Sequence, residues 1–201
     1  QMIIKKTIKK NRGMTYVELI VVLSIFAVMT SVVIFNYREF QVKVDIKNLA
    51  SDIALKIVEA QKSSLSGNLP AQTPTVSDPA KWKPAYGVYF DATGDSFIYF
   101  TDLNNNNWFD DAPCTGECLD EINITKNYYI SRIDSYLGST LTQITVPLAI
   151  TFKRPNSGAT FSHSNGIPLT FDYIQITIAS PSPQSATANI RIYPSGRIQV
   201  N

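Results

Sequence analysis

Histidine occurs once and cysteine twice in the 201 residues, too few imidazole and thiolate ligands for a zinc centre built on them. Motifs of hydrolytic or phosphoryl-transfer chemistry are also missing. There is no Gly-x-Ser-x-Gly, no phosphate-binding loop and no paired-histidine motif, and the one histidine, His163, lies in the polar run Ser162-His163-Ser164-Asn165-Gly166. An enzyme is therefore not expected. Glycine and proline are absent from Met14 to Ser66, so no strong helix breaker interrupts that stretch. From Met14 to Phe35 charge is also absent, save for the carboxylate of Glu18. Lys and Arg are missing from residues 91–121, which hold eight of the 16 acidic residues. Internal repeats and low-complexity tracts are lacking, which excludes a solenoid.

The run from Met14 to Phe35 is long enough, as a helix at ~1.5 Å per residue, to cross a hydrocarbon layer of ~30 Å. Lys5, Lys6, Lys9, Lys10 and Arg12 precede it without an acid among them, which predicts a cytoplasmic amino-terminal side and an extracytoplasmic remainder from about residue 36. A secretory signal would carry its small-residue cleavage site after the apolar core. Here the small residue, Gly13, lies before it, and cleavage after Gly13 would make the Met14 amine a new terminus and retain the helix. Glu18 is costly inside a bilayer span and needs a cation at its own depth.

Of the 18 Lys and Arg residues, five lie in residues 1–13, so the chain from Met14 carries 13 basic against 16 acidic residues, a net charge of −3. Overall charge does not support nucleic-acid binding; a local patch of Lys153, Arg154, Arg191 and Arg197 is the candidate surface for it. Beyond the apolar run, Val42, Ile46, Leu49, Ile53, Ile57 and Ala60 recur at helical spacing, with Lys43, Lys47, Asp52, Lys56 and Glu59 between them. This predicts one continuous helix of ~75 to 80 Å at ~1.5 Å per residue, stopped near Gly67, with residues 36–66 packing on a sheet. Pro70, Pro74, Pro79 and Pro84 mark a loop. Strands are predicted over Tyr86–Phe90, Ser96–Thr101, Ile122–Ile133, Ile144–Lys153, Leu169–Ala179, Ala188–Tyr193 and Arg197–Val200, with turns at Asp91–Asp95 and Pro194-Ser195-Gly196. A helix followed by strands is an α+β class with the helix on an antiparallel sheet.

The stretch Gly13-Met14-Thr15-Tyr16-Val17-Glu18-Leu19-Ile20 resembles the processing site of type IV pilins and type II secretion pseudopilins, with Met in place of the usual Phe after the glycine. The run Ile190-Arg191-Ile192-Tyr193-Pro194-Ser195-Gly196-Arg197-Ile198-Gln199-Val200 looks like the closing hairpin of the H-type minor pseudopilins, as does Tyr86-Gly87-Val88-Tyr89-Phe90. The resemblance implies a type IV pilin-like fold, with residues 1–13 a leader, 14–35 a transmembrane or filament-core helix, 36–66 its amphipathic continuation and 67–201 an extracytoplasmic β-rich domain. It further implies cleavage after Gly13 by a prepilin peptidase, N-methylation of Met14, and pairing of Glu18 with the terminal amine of a neighbouring subunit. The implied partners are other pilin or pseudopilin subunits, the peptidase and an inner-membrane assembly platform. The implied location is the bacterial inner membrane, single-pass, with assembly into a pilus or pseudopilus. Two function classes follow: a structural, minor subunit of such a filament, or a binding module on the same scaffold that captures DNA or surfaces. DNA-binding relatives carry Gly-Arg-x-Arg; here Gln199 stands at the second basic position, which disfavours that module.

The acid-rich stretch has its own chemistry. Asp102, Asn104, Asn106, the Trp108 carbonyl and Asp110 match positions 1, 3, 5, 7 and 9 of an EF-hand-type loop, a set of hard oxygen donors suited to Ca²⁺. Asn107 replaces the usual glycine and Pro113 the usual bidentate glutamate, so Asp111, Glu117, Asp120 or Glu121 would have to complete the shell. An Asn-rich turn that holds no ion is the competing expectation. Cys114 and Cys118, both on the extracytoplasmic side, are expected to form a disulfide that clamps this loop.

Overall fold

The computed structural model describes residues 13–67, 83–91, 94–110, 114, 116–145, 147–163, 166–181 and 186–201. The expected leader up to Arg12 and the loop expected over 68–82 lie outside the described residues. The chain forms two compact units, Gln1–Gln41 and Val42–Asn201. A single helix, α1 (Tyr16–Ser66), contributes to both. Thr15 starts it, its hydroxyl accepting the Glu18 N–H at 3.2 Å, and Gly67 ends it at φ 68°, a left-handed conformation that glycine adopts without strain. In the first unit the helix is long and apolar enough to cross a membrane, and its large apolar side chains are exposed.

The second unit is the Val42–Ser66 half of α1 with two antiparallel sheets. β1 (Ala85–Phe90), β2 (Ser96–Asp102), β3 (Cys118–Asn123), β6 (Leu148–Phe152), β7 (Ala159–His163) and β8 (Ile167–Leu169) form one, ordered β3-β2-β1-β6-β7-β8. β4 (Tyr129–Leu137), β5 (Thr140–Ile144), β9 (Tyr173–Ala179), β10 (Thr187–Ile192) and β11 (Ile198–Val200) form the other, ordered β11-β10-β9-β4-β5. One core joins all three layers. Ile46, Ala50, Ile53, Ile57 and Ala60 of the helix bury against Tyr86, Val88, Phe90, Ile150 and Phe152 of the first sheet, and against Ile133, Ile174, Ile176, Ile190 and Ile192 of the second. The small residues of the stripe, Ala50, Ala60 and Ser64, are buried with it. Two ion pairs lash its exposed flanks, Lys56 to Asp120 at 3.3 Å and Lys126 to Asp45 at 2.8 Å.

The helix, its stop and its apolar face match expectation, with Val42 and Leu49 at the margin of the buried stripe. The single sheet does not: among the described residues there are two. The strand expected over Ile122–Ile133 is broken because Lys126 and Asn127 take left-handed φ values of 61° and 57°, turning the chain from β3 in one sheet to β4 in the other. Of the strand expected over Ile144–Lys153, Leu148–Phe152 forms β6 of the first sheet, while Ile144 ends β5 of the second, whose other residues were not expected as a strand. β7 and β8 were not expected; β8 is three residues with Pro168 inside, too short for alternation to register.

Truncating the buried stripe must open a cavity that layers on both sides cannot close. Ile57→Ala should destabilise the unit by about 2–5 kcal/mol, and Leu55→Ala, on the exposed side of the same turn, by no more than about 0.5 kcal/mol. Chemical denaturation of the detergent-solubilised chain, followed by Trp108 fluorescence, measures the pair.

Candidate functional site

Two regions carry unsatisfied or concentrated charge. In the first unit Gly13 and Met14 precede the helix and are exposed, and a Cβ added at Gly13 would meet no atom within 4 Å. Glu18 sits in the first turn, where a carboxylate is favoured by the positive end of the helix dipole. The sequence Thr15-Tyr16-Val17-Glu18 is the pattern of a capping box, and its Thr half is made. Among the described residues Glu18 has no ion-pair partner, and its neighbours Tyr16, Val17, Leu19 and Ile20 are exposed apolar side chains. In hydrocarbon this arrangement leaves one charge without a counter-charge.

In the second unit Asp102 ends β2 fully buried, and the chain folds back over the outer face of the first sheet. Asp102 accepts the Asn106 N–H at 3.1 Å on one oxygen and the Asn107 N–H at 2.8 Å on the other. The Asn104 side-chain oxygen accepts the Asn106 N–H at 3.0 Å, and the Asn106 side-chain oxygen accepts the Trp108 N–H at 2.8 Å. Both amides then donate to Asp110 Oδ2, at 2.7 and 2.6 Å. Asn105 and Asn107, the alternate positions, take φ values of 60° and 61°, which asparagine tolerates better than most residues. Glu117 closes the loop. Its Oε1 accepts the Leu103 N–H at 2.9 Å and its Oε2 the Asp110 N–H at 3.1 Å, so one carboxylate holds both ends. The Cys114–Cys118 disulfide, formed as expected, ties the segment just before and after Glu117.

The underside of the loop is apolar. Trp108 and Phe109 pack on Phe100 and Ala149 as a second core, with Tyr89 edge-on to Trp108 at 5.3 Å. Glycines permit the approach: a Cβ at Gly87 would strike the Phe100 ring and the Ile150 carbonyl, and Gly166, at φ 86°, backs onto the Asn106 carbonyl. Of the expected cation ligands, Asp102, Asn104, Asn106 and Asp110 are thus gathered in one loop with Trp108. Asp111 and Pro113 lie outside the described residues. Asp120 is engaged with Lys56 on the helix, and Glu117 acts as the clamp. Among the described residues no group of three His, Cys, Asp or Glu side chains is disposed to hold a metal ion. The donors that do gather are carboxylate and amide oxygens, the chemistry of a hard cation and not of zinc.

Burial raises the pKa of Asp102, opposed by the Asn107, Asn106 and Asn105 N–H groups and by the Lys153 charge. Burial likewise raises that of Glu117, opposed by the Asp110 and Leu103 N–H groups and reinforced by the charges of Asp102 and Asp110. The loop therefore concentrates anionic charge that its own donors only partly offset.

The four basic residues are divided. Lys153 and Arg154 follow β6; Lys153 acts on Asp102, and the Arg154 guanidinium lies against Gly67 at the helix end. Arg191 and Arg197 belong to the second sheet, where they cover a tyrosine row that sequence reading missed. Tyr136 stacks on Tyr173 at 4.4 Å and Tyr173 meets Tyr193 at 5.5 Å. The Arg191 guanidinium lies 5.4 Å from the Tyr173 ring and that of Arg197 3.9 Å from Tyr193. Alternation in Tyr173-x-Gln175-x-Thr177 and Arg191-x-Tyr193 was the available signal. Comparison with protein-family models, with curated proteins and with solved structures finds no match.

Because the folded-state pKa of Glu117 is raised, the folded chain binds this proton more readily than the unfolded one. The stability that comes from protonation is present at low pH and lost as pH rises through the folded value. Relative to Glu117→Gln, the parent should gain stability as pH falls from neutral toward the ordinary value of 4.5. Denaturation midpoints measured across that window test this; a difference that is flat, or that moves the other way, rejects it.

Proposed function

We propose that the chain is a structural, minor subunit of a type II secretion pseudopilus or type IV pilus, anchored through its amino-terminal helix in the bacterial inner membrane and drawn from there into a filament. The observation that carries this reading is Glu18: an ionisable group in the first turn of an apolar helix, four residues after Met14 and without an ion-pair partner among the described residues. Cleavage after Gly13 by a prepilin peptidase would create a cation at Met14, and N-methylation would keep that charge. Within one chain the amine and the carboxylate stand a helical turn apart at the same end. Between subunits offset along the filament, the amine of one can reach the carboxylate of the next.

Magnitudes favour the pairing. An ionised side chain in a span costs about 3 kcal/mol on insertion scales. Opposite charges ~4 Å apart in an effective dielectric of ~20 regain about 4 kcal/mol. An unpaired Glu18 thus costs a lone subunit about 3 kcal/mol that docking on a neighbour can recover. The binding-module alternative, with DNA or a surface as ligand, has less support, since Arg191 and Arg197 lie on their own tyrosine row while Lys153 and Arg154 serve the acidic loop and the helix end.

Glu18→Ala should leave the chain inserted and cleaved but poorly incorporated into filaments, and Gly13→Leu should block cleavage. Filament shearing with detection of the processed and unprocessed chain reads both, and normal incorporation of Glu18→Ala would sink the pairing.

Calcium in the loop of Asp102, Asn104, Asn106, Trp108 and Asp110 is part of the same proposal. What supports it is the gathering of Asp102, Asn104, Asn106 and Asp110 in one loop, where burial disfavours the charge of Asp102. The ion would supply positive charge and the residues would hold it through oxygen. A ligand that binds only the native state stabilises by mass action. The full chain in detergent should therefore melt higher in calcium than in chelator, and Asp102→Ala should lose the difference. Equal melting of the parent in both rejects the site.

A further inference from the structure

The outer face of the five-stranded sheet is ordered in transverse rows. Strand register sets Leu141, Tyr136, Tyr173, Tyr193 and Arg197 side by side, from β5 across β4, β9 and the end of β10 to the start of β11. The next row is Gln143, Asp134, Gln175, Arg191 and Gln199. Its carboxylate is spent: Asp134 is fully buried and paired with Arg132 at 2.7 Å. The Arg191 Nε donates to the Gln175 side chain at 2.9 Å, but among the described residues neither Arg191 nor Arg197 has a carboxylate partner. The rings stack on one another and on the two guanidiniums, which leaves a planar ligand little to stack on. The chemistry left over is that of phenol and guanidinium donors, the residue types enriched at protein interfaces and suited to carboxylates.

The six-stranded sheet has the opposite balance. Residues 91–121 hold eight acids and no Lys or Arg, whereas residues 173–201 hold Arg191 and Arg197 and no acid. Two of the eight acids are exposed on the outer face of that sheet. Asp110 belongs to the loop that folds over it, and Glu121 stands on β3 opposite Ile98, whose side chain packs with Trp108 and Phe109 beneath the loop. Glu121 has no ion-pair partner among the described residues. It lies on the strand and outside the loop of Asp102 to Asp110, so it keeps its charge whether or not that loop holds calcium. One chain therefore carries an uncompensated basic face on one sheet and an uncompensated acidic face on the other.

We infer that the tyrosine and arginine face of one copy docks on the Asp110 and Glu121 face of a second copy, head to tail, an inference that rests on the filament reading and supplies its lateral contact. Charge complementarity names the occupant, since Arg191 and Arg197 find on another copy the carboxylates they lack on their own. The Val42–Ser66 half of α1 lies along the inner faces of both sheets through its buried stripe, so passing from one outer face to the other is a step across the helix. Such a step, with a rotation about the helix direction, leaves the helices of neighbouring copies parallel. Chains inserted in one membrane with one orientation meet that condition. Because the two patches differ, the contact is heterologous and repeats from copy to copy instead of closing as a two-fold pair. Exposed charges are screened by salt and hold little by themselves, so the contact selects which faces meet among chains already concentrated in the membrane.

The test uses the full chain in membranes and a bis-maleimide, to which Cys114 and Cys118 are closed by their disulfide. Asn123→Cys marks the acidic face, two residues from Glu121 on β3, and Gln199→Cys marks the basic face opposite Arg191; both positions are exposed. A chain with both cysteines should cross-link into a ladder of dimer, trimer and higher species, and a chain with either one alone should give none. Arg197→Glu or Glu121→Lys, added to the double-cysteine chain, should each lose most of the ladder. The two reversals together should restore it, because opposite charges meet again at every contact. Cross-linking by a single-cysteine chain, no ladder with both cysteines, cross-links only to other proteins, or a double reversal that fails to restore the ladder would each overturn the docking. The filament reading fails separately. Normal incorporation of Glu18→Ala with a charge-sensitive ladder rejects the amine pairing and leaves the face contact, whereas incorporation that needs Glu18 beside a ladder indifferent to charge reversal rejects the face contact alone.

Discussion

Burial of one narrow helical stripe between two sheets is the constraint on which the second unit depends. Ile46, Ile53 and Ile57 present branched bulk to that core, and Ala50 and Ala60 present almost none. Neither sheet could stand alone, because each has an isoleucine- or phenylalanine-rich inner face that only the helix and the other sheet cover. Each sheet keeps a polar or second apolar layer outside. On the five-stranded sheet that layer is the tyrosine row with its arginines; on the six-stranded sheet it is the asparagine-rich loop.

That loop shows how backbone and side chains divide a task. A segment between strands has N–H groups that no ladder satisfies, and here Asp102, Asn104, Asn106 and Glu117 accept them. The asparagines between them adopt left-handed φ, which lets the chain turn tightly enough for Trp108 and Phe109 to reach the sheet. Satisfying the donors brings four carboxylates and amides together, and burial raises the cost of their charge. Closure of the loop is what these residues accomplish, and the proposed hold on a hard cation would draw on the same side chains.

Glu18 poses the opposite problem. Its charge sits on a helix whose neighbours offer no counter-charge among the described residues, and the Thr15 cap satisfies a backbone donor without touching that charge. The proposed role uses the deficit: a charge that one chain cannot satisfy is a reason for two chains to meet.

The helix was legible because its signals are local. Absence of glycine and proline, the period of Val42 to Ala60, and Gly67 at the end all act within a few turns, as do the Pro194-Ser195-Gly196 turn and the hairpin after Phe90. That Asp102, Asn104, Asn106 and Asp110 share one loop was legible too, since they alternate along the chain. The partition into two sheets was not, because alternation assigns a strand a buried face without saying which sheet supplies it, and the turn at Lys126-Asn127 has no glycine or proline to mark it. Nor was the separation of Lys153 and Arg154 from Arg191 and Arg197, which depends on pairing between strands distant in sequence. The sequence by itself determined the long apolar helix, its lone carboxylate and the helical stripe, since spacing and composition act through near neighbours. Tertiary structure alone decided that Glu117 clamps the loop and that tyrosines line the second sheet, because each is a contact between segments brought together only when the sheets form.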